Sequence, residues 1–342
     1  MTSSRKHINA RSLRIFRKVA LLTVLTVYLV ILAGGIVRST GAGMGCPDWP
    51  KCFGSWVPPT EESQLPLNYK EIYGKKLKGE VVFNATKTWI EYVNRLLGVL
   101  TGFMIFLTFV ASFPFRHTSY RLLFYLSFLA FVLVGIQGWL GSKVVSFELL
   151  PSMVTLHMLL AILIVFVLLY LLLASYAEQL TSLFPKGNMR LNRLILINLG
   201  FSLIQLIMGT QVREEMDHVI ARLGYLARFE WIENLNFLFY VHRSFSILIL
   251  VVGFILFYQV YRQKASPQLV RKLVAINLLI IVLEIATGVS MAYFGVPAFS
   301  QPIHLLMSIL LMGVQFIVWV VVNAEWLFKK WTSPKYLQSV IP

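Results

Sequence analysis

Apolar residues in this chain come in long unbroken runs, not in the alternation of a half-buried strand or the stripe of a soluble amphipathic helix. Eight runs stand out, at residues 19–37, 89–113, 120–140, 154–176, 191–211, 238–261, 270–293 and 303–323. Each is about the length needed to cross roughly 30 Å of hydrocarbon as a helix. Backbone groups in lipid must be satisfied within their own segment, so such runs predict helices. The expected class is all-α, a polytopic membrane protein with eight transmembrane helices. The first run is longer than the apolar core of a signal peptide and lacks a small-residue cleavage site before Arg38, which predicts a retained first span.

The polar residues inside these runs repeat. FYVHRSF (239–245) at the start of the sixth run carries His242 and Arg243, and IEYVNRLLG (90–98) in the second carries Asn94 and Arg95 at matching places, 148 residues earlier. The fourth run opens PSMVTLHMLLA with His157, and the eighth opens QPIHLLMSILL with His304, an offset of 147. Gly209 and Arg213 of the fifth run keep the GxxxR spacing of Gly34 and Arg38 in the first, and EIATGVS (284–290) parallels GIQGWLG (135–141). A near-constant offset predicts an internal duplication. With four spans in each copy, both copies insert in the same orientation, giving two four-helix bundles about a pseudo-twofold along the membrane normal. The predicted organisation is a basic tail (1–18), a first half (19–177) with an outer loop (38–88), a linker (178–190), a second half (191–323) and a tail (324–342).

Composition agrees with this picture and excludes a soluble domain: 57% of residues are hydrophobic, 13% are charged, and the mean hydropathy is +0.72. The net charge of +16 could suggest nucleic acid, but its placement argues for a membrane protein and against a nucleic-acid partner. Basic residues gather in the amino tail (Arg5, Lys6, Arg11, Arg14, Arg17, Lys18), at Arg116 and Arg121, at Lys186, Arg190 and Arg193, at Arg262, Lys264, Arg271 and Lys272, and at Lys329, Lys330 and Lys335. Eight spans put all five segments on one side, which the positive-inside rule makes cytoplasmic. A cell inner membrane, with both termini cytoplasmic, is the expected setting. Asn94, His157, His242 and His304 then share one depth near the outer face.

The only cysteines, Cys46 and Cys52, lie in the first outer loop, where an oxidising compartment and an even count favour a disulfide. A local clamp on the loop is the plainer reading and a redox pair the alternative. The charged remainder of the loop (61–87) reads as a solvated segment. In the second span Glu91 and Asn94 are three residues apart and share a helix face.

Ionisable groups inside spans are expensive and point to function. One histidine near a helix end is usually an interfacial residue, but three at repeat-related places and one depth suggest a ligand set. His7, His117 and His218 fall in tails or loops and read as incidental. Helix bundles build cofactor sites from facing helices, and a pair such as His242 and His304 is an axial clamp suited to haem iron. Zinc would want four ligands, which neither half supplies. Arg95 and Arg243 could pair with haem propionates or snorkel to the interface. Glu284, inside the seventh span, could line the haem pocket or a proton path, or simply bond a neighbouring helix.

The stretch GGIVRSTGAGMGCPDWPKC (34–52), the EYVNRLLG of the second span, the histidines of the fourth, sixth and eighth spans and the duplicated halves resemble the haem A synthase family over nearly the whole chain. The resemblance implies an enzyme that oxidises a methyl group of haem O to a formyl group through an alcohol. It implies a haem b cofactor in the second half with His242 and His304 as axial ligands, the substrate haem beside His157 in the first half, a catalytic role for Glu91, and pairing of Cys46 with Cys52. It also admits the haem O-forming enzyme, cytochrome oxidase assembly and a second copy of the chain as partners, besides membrane lipid. The chain departs from the family pattern at Asn94, where many members carry a second substrate-side histidine. Either His157 holds the substrate alone, with the Asn94 side open, or this copy carries haem without catalysis; the retained Glu91 and Arg95 favour the first. The rival readings are a non-catalytic b-type cytochrome, which leaves Glu91 and the cysteine loop without a task, and a transporter, which predicts charges nearer mid-membrane.

Overall fold

The computed structural model describes residues 9–74, 83–183, 189–224, 226–264 and 266–332, with side chains up to residue 328. Arg5, Lys6, His7, Lys186 and Lys335 lie outside the described residues, as do the side chains of Lys329 and Lys330. Regular structure among the described residues is helical: α1 (Ala10–Ser39), α2 (Tyr69–Gly74), α3 (Ala85–Ser112), α4 (Arg121–Ser146), α5 (Pro151–Ala174), α6 (Ala177–Thr181), α7 (Met189–Leu223), α8 (Phe237–Arg262), α9 (Gln268–Tyr293), α10 (Ser300–Val322) and α11 (Ala324–Thr332). Eight of these, α1, α3, α4, α5, α7, α8, α9 and α10, are long and apolar enough to cross a membrane. Large apolar side chains such as Leu25, Phe103, Phe128, Ile247 and Phe254 are exposed on them, as expected of surfaces solvated by lipid.

Local sequence sets several boundaries. Asn9, Asn84 and Asn236 each accept a hydrogen bond from the first turn of α1, α3 and α8, satisfying donors that have no partner within the helix. Pro151 sits at the start of α5, where its missing N–H costs nothing. The structure also lengthens three predicted elements. α1 begins at Ala10, α3 at Ala85, and α7 runs 35 residues, about 50 Å, well beyond the apolar run at 191–211. The carboxyl end of α7 is polar on one side but packs Met216 and Val219 against Trp231 and Val296, so burial carries the helix beyond its apolar stretch.

α1, α3, α4 and α5 pack in chain order, with α1 closing back on α5; α7, α8, α9 and α10 do the same, with α7 closing on α10. The two groups meet along α1–α10, α5–α10 and α5–α7. At this seam the rings of Phe166 and Phe316 stack at 4.5 Å. Backbones approach closely too: a Cβ at Gly35 would stand 3.0 Å from Pro302 Cα, and one at Gly313 would overlap Tyr28. The described parts of the expected linker and carboxyl tail include two short helices. α6 and α11 pack together, with Ala177, Leu180, Ala324 and Phe328 buried.

Candidate functional site

The four repeat-related polar residues share one structural environment. Each is backed by a glycine on the helix before it. A Cβ at Gly34 would lie 3.9 Å from Asn94 Oδ1, and one at Gly288 3.7 Å from His304 Cε1. At Gly141 and Gly209 it would lie 3.3 Å from Cε1 of His157 and His242, closer than a methyl group fits comfortably. The absence of a side chain lets each ring sit against the neighbouring backbone. Gln137 and Gln205, one turn before two of these glycines, donate to the carbonyls of His157 and His242 at 3.0 and 2.9 Å. The glycine contacts pair Gly141 with Gly288. That places Glu284 opposite Gln137 and shifts the EIATGVS–GIQGWLG register by two residues.

In the second half the imidazoles of His242 and His304 face each other with centroids 6.5 Å apart and planes at 70°. Thr287 Oγ1 hydrogen-bonds His304 Nδ1 at 2.8 Å, and Glu284 Oε2 stands 2.9 Å from the same nitrogen. These partners orient the ring as carboxylates and carbonyls orient metal-ligating histidines. His242 Nδ1 is buried without a hydrogen-bond partner. A metal between two imidazole nitrogens needs about 2 Å on each side, which the ring separation accommodates.

The first half contains a cavity of about 1590 Å³, larger than the roughly 300–1,000 Å³ of ordinary small-molecule pockets. Asn94 and His157 line it, and Asn94 Oδ1 and His157 Nδ1 are buried without partners. Gly98, Gly102, Gly135 and Gly138 leave α3 and α4 flat along its wall, and α7 and α10 contribute residues from the other half. Its end beside the α1–α3 loop is polar, with Arg38, Glu91, Arg95, Arg213 and Asp217, whereas Ile105, Phe131, Ile164 and Ile309 line it further along. His218 also lines it, although its sequence context gave no sign of this.

The loop between α1 and α3 is seated on the first turns of α3. Gly45 approaches so closely that a Cβ there would meet the Lys87 carbonyl at 2.5 Å, and its own carbonyl accepts from Thr88 Oγ1 at 2.9 Å. Cys46 and Cys52 form a disulfide with Cα atoms 4.8 Å apart. Asp48 accepts from the backbone N–H groups of Phe53 and Gly54, which turns the chain between the cysteines and Ser55. Phe53 packs on Tyr69, Tyr73 and Phe83, so the start of the charged segment is partly a small apolar core. Lys75, Lys76, Lys78 and Glu80 of that segment lie outside the described residues.

Glu91 and Arg95 fasten this loop. Glu91 Oε2 accepts from the Cys46 N–H at 2.8 Å, and Oε1 pairs with Arg95 at 2.5 Å. Arg95 also donates to the carbonyls of Cys46, Asp48 and Lys51 at 2.7–3.0 Å. Its terminal nitrogens are thus engaged by protein. Arg243 is exposed and lies over the rings of Phe239 and Tyr240, 5.9 and 5.3 Å from their centroids. A different arginine pair, from the repeated GxxxR, stands at the seam: Arg38 pairs with Asp217, and Arg213 bonds Asp217 at 2.7 Å and Gln301 at 2.8 Å.

Comparison with known proteins agrees with this arrangement. The family model described as "Cytochrome oxidase assembly protein" (COX15-CtaA) matches residues 17–316, which takes in every residue of both sites. The chain belongs to the COX15-CtaA family. Curated relatives include proteins named "Heme A synthase" from Orientia tsutsugamushi (strain Boryong), 24% identical across 89% of this chain and 96% of the relative, and from Rickettsia prowazekii, 24% identical across 86% and 93%. A third, from Shewanella oneidensis, is 28% identical over a shorter stretch, 40% of this chain and 39% of its own length.

Proposed function

We propose that this protein is a haem A synthase: it binds haem O in the first-half cavity and oxidises one methyl group through an alcohol to a formyl group. The observation that carries the reading is the amphipathic cavity, with unpartnered atoms of Asn94 and His157, two of the residues that line it. Haem O is a flat amphiphile with carboxylates at one edge and a long isoprenoid chain at another. A polar outward end, a glycine-flattened wall and an apolar inner end suit those parts. The names of the full-length relatives support the same reading.

His157 holds the substrate, and Asn94 opposite it, a poor iron ligand that can donate and accept hydrogen bonds, leaves that side open. Glu91 lies one turn outward of Asn94 and borders the cavity. We assign it the proton-handling role as the methyl carbon is oxidised; its fixed position follows from Arg95 and the Cys46 N–H. In the second half His242 and His304 would hold haem b, which supplies one-electron redox chemistry when bound. Glu284 and Thr287 fix the His304 ring for that purpose.

The test is chromatography of haems extracted from cells that co-express this chain with a haem O-forming enzyme, with His157→Ala as control. Haem A or its alcohol precursor should appear only with the intact chain. Unconverted haem O alongside a well-folded protein carrying haem b would instead support an electron-carrying b-type cytochrome.

A further inference from the structure

Three arginines line the polar end of the first-half cavity, and their hydrogen bonds distinguish them. Arg95 spends both terminal nitrogens on Glu91 and three loop carbonyls. Arg213 spends one on Gln301 and the other on Asp217 and the Arg38 carbonyl. Arg38 spends only Nη2, on Asp217, and its side chain is one-quarter exposed. Arg38 also lies one turn, about 6 Å, outward of Gly34, the glycine that backs Asn94. The donors on Arg38 Nη1 and Nε, and the second hydrogen on Nη2, are therefore open at this end of the cavity.

We propose that Arg38 takes a carboxylate of the substrate tetrapyrrole, and that Asp217, from the other half, is the residue that positions it; this rests on the haem O reading above. A guanidinium can meet a carboxylate with two parallel hydrogen bonds. Glu148 and Glu214 lie on the same rim, so the cavity mouth has no general excess of positive charge, and the assignment rests on Arg38's open donors. Because Asp217 also binds Arg213, the group that orients the substrate belongs to a network crossing the seam between the halves.

The probe is iron-free protoporphyrin IX, compared with its dimethyl ester, titrated by fluorescence into the detergent-purified full-length protein. Iron ligation plays no part in this measurement. The intact chain should bind the diacid about tenfold or more tighter than the diester, as expected for one charge-assisted pair. Arg38→Gln should bring the two within about twofold, and Arg38→Lys should restore part of the preference. Size-exclusion profiles and helical circular dichroism check the fold, with Arg38→Lys as the fallback variant if Arg38→Gln fails to purify. No diacid preference in the intact chain, or full preference kept in Arg38→Gln, overturns the assignment. Binding of neither porphyrin overturns the haem-substrate reading and the assignment with it.

Discussion

The two halves use one scaffold and differ at few polar positions. In the second, His242 faces His304, with Glu284 and Thr287 on the outer nitrogen of His304. In the first, Asn94 takes the place of His242 and Gln137 that of Glu284, and a large cavity borders Asn94 and His157. The glycine behind each residue is unchanged. The corresponding ends of the halves are closed by different means as well: a disulfide-clamped loop held by Glu91 and Arg95 in the first, and Trp231 packed against the extension of α7 in the second. A permanent ligand calls for two strong axial donors and a tight fit, whereas a substrate that must enter and leave calls for weaker ligation and room. On our reading the duplicated fold meets both demands by changing a few side chains.

The largest effect should separate the halves outright. His304→Ala or His242→Ala should abolish the haem b absorption of the purified protein, while His157→Ala leaves it in place; equal loss in all three would mean that the halves do not bind haem independently. Next, Glu91→Gln should lower haem A output by tenfold or more with haem b content unchanged, within the range for a lost acid–base group. Resistance of Cys46 and Cys52 to thiol labelling in that variant shows whether the loop has stayed seated. Full haem A output would remove Glu91 from the chemistry.

Asn94→His tests the comparison in reverse, since it rebuilds a histidine pair in the first half. Tighter retention of the substrate haem and several-fold slower conversion are expected, visible as a second haem in the purified protein. Faster conversion would show that the open side is not what Asn94 provides. A smaller effect is predicted for the glycines. Gly141→Ala or Gly209→Ala should cost about 1–2 kcal/mol from overpacking and displace the adjacent histidine, whereas Gly34→Ala, with 3.9 Å of room, should be nearly silent in thermal unfolding. Of similar size, Cys46→Ser should cost about 2 kcal/mol, the entropy of so short a loop, and leave haem b binding intact.

Much of this was legible without a structure, and the parts that were not share a cause. The eight spans follow from run length against bilayer thickness, and the matching, glycine-backed places of Asn94, His157, His242 and His304 follow from the repeat offset. Even the GxxxR repeat was visible, although its arginines were not the ones expected to meet a carboxylate. Arg95 and Arg243 looked equivalent by repeat, yet one is bound to a loop more than forty residues away and the other lies exposed over aromatic rings. His218 looked incidental because its contact with the cavity depends on how far α7 extends.

The sequence by itself determined what is local. An apolar run must become a helix in lipid, an asparagine before it caps it, and a fixed offset between motifs gives their side chains matching places in the two bundles. The tertiary structure decided which partner each polar group meets: Glu91 with Cys46, Arg38 with Asp217 across 179 residues, and His304 with Glu284 and Thr287. Those pairings depend on which helices become neighbours and on how closely glycines let them approach, distances that periodicity along one chain does not encode.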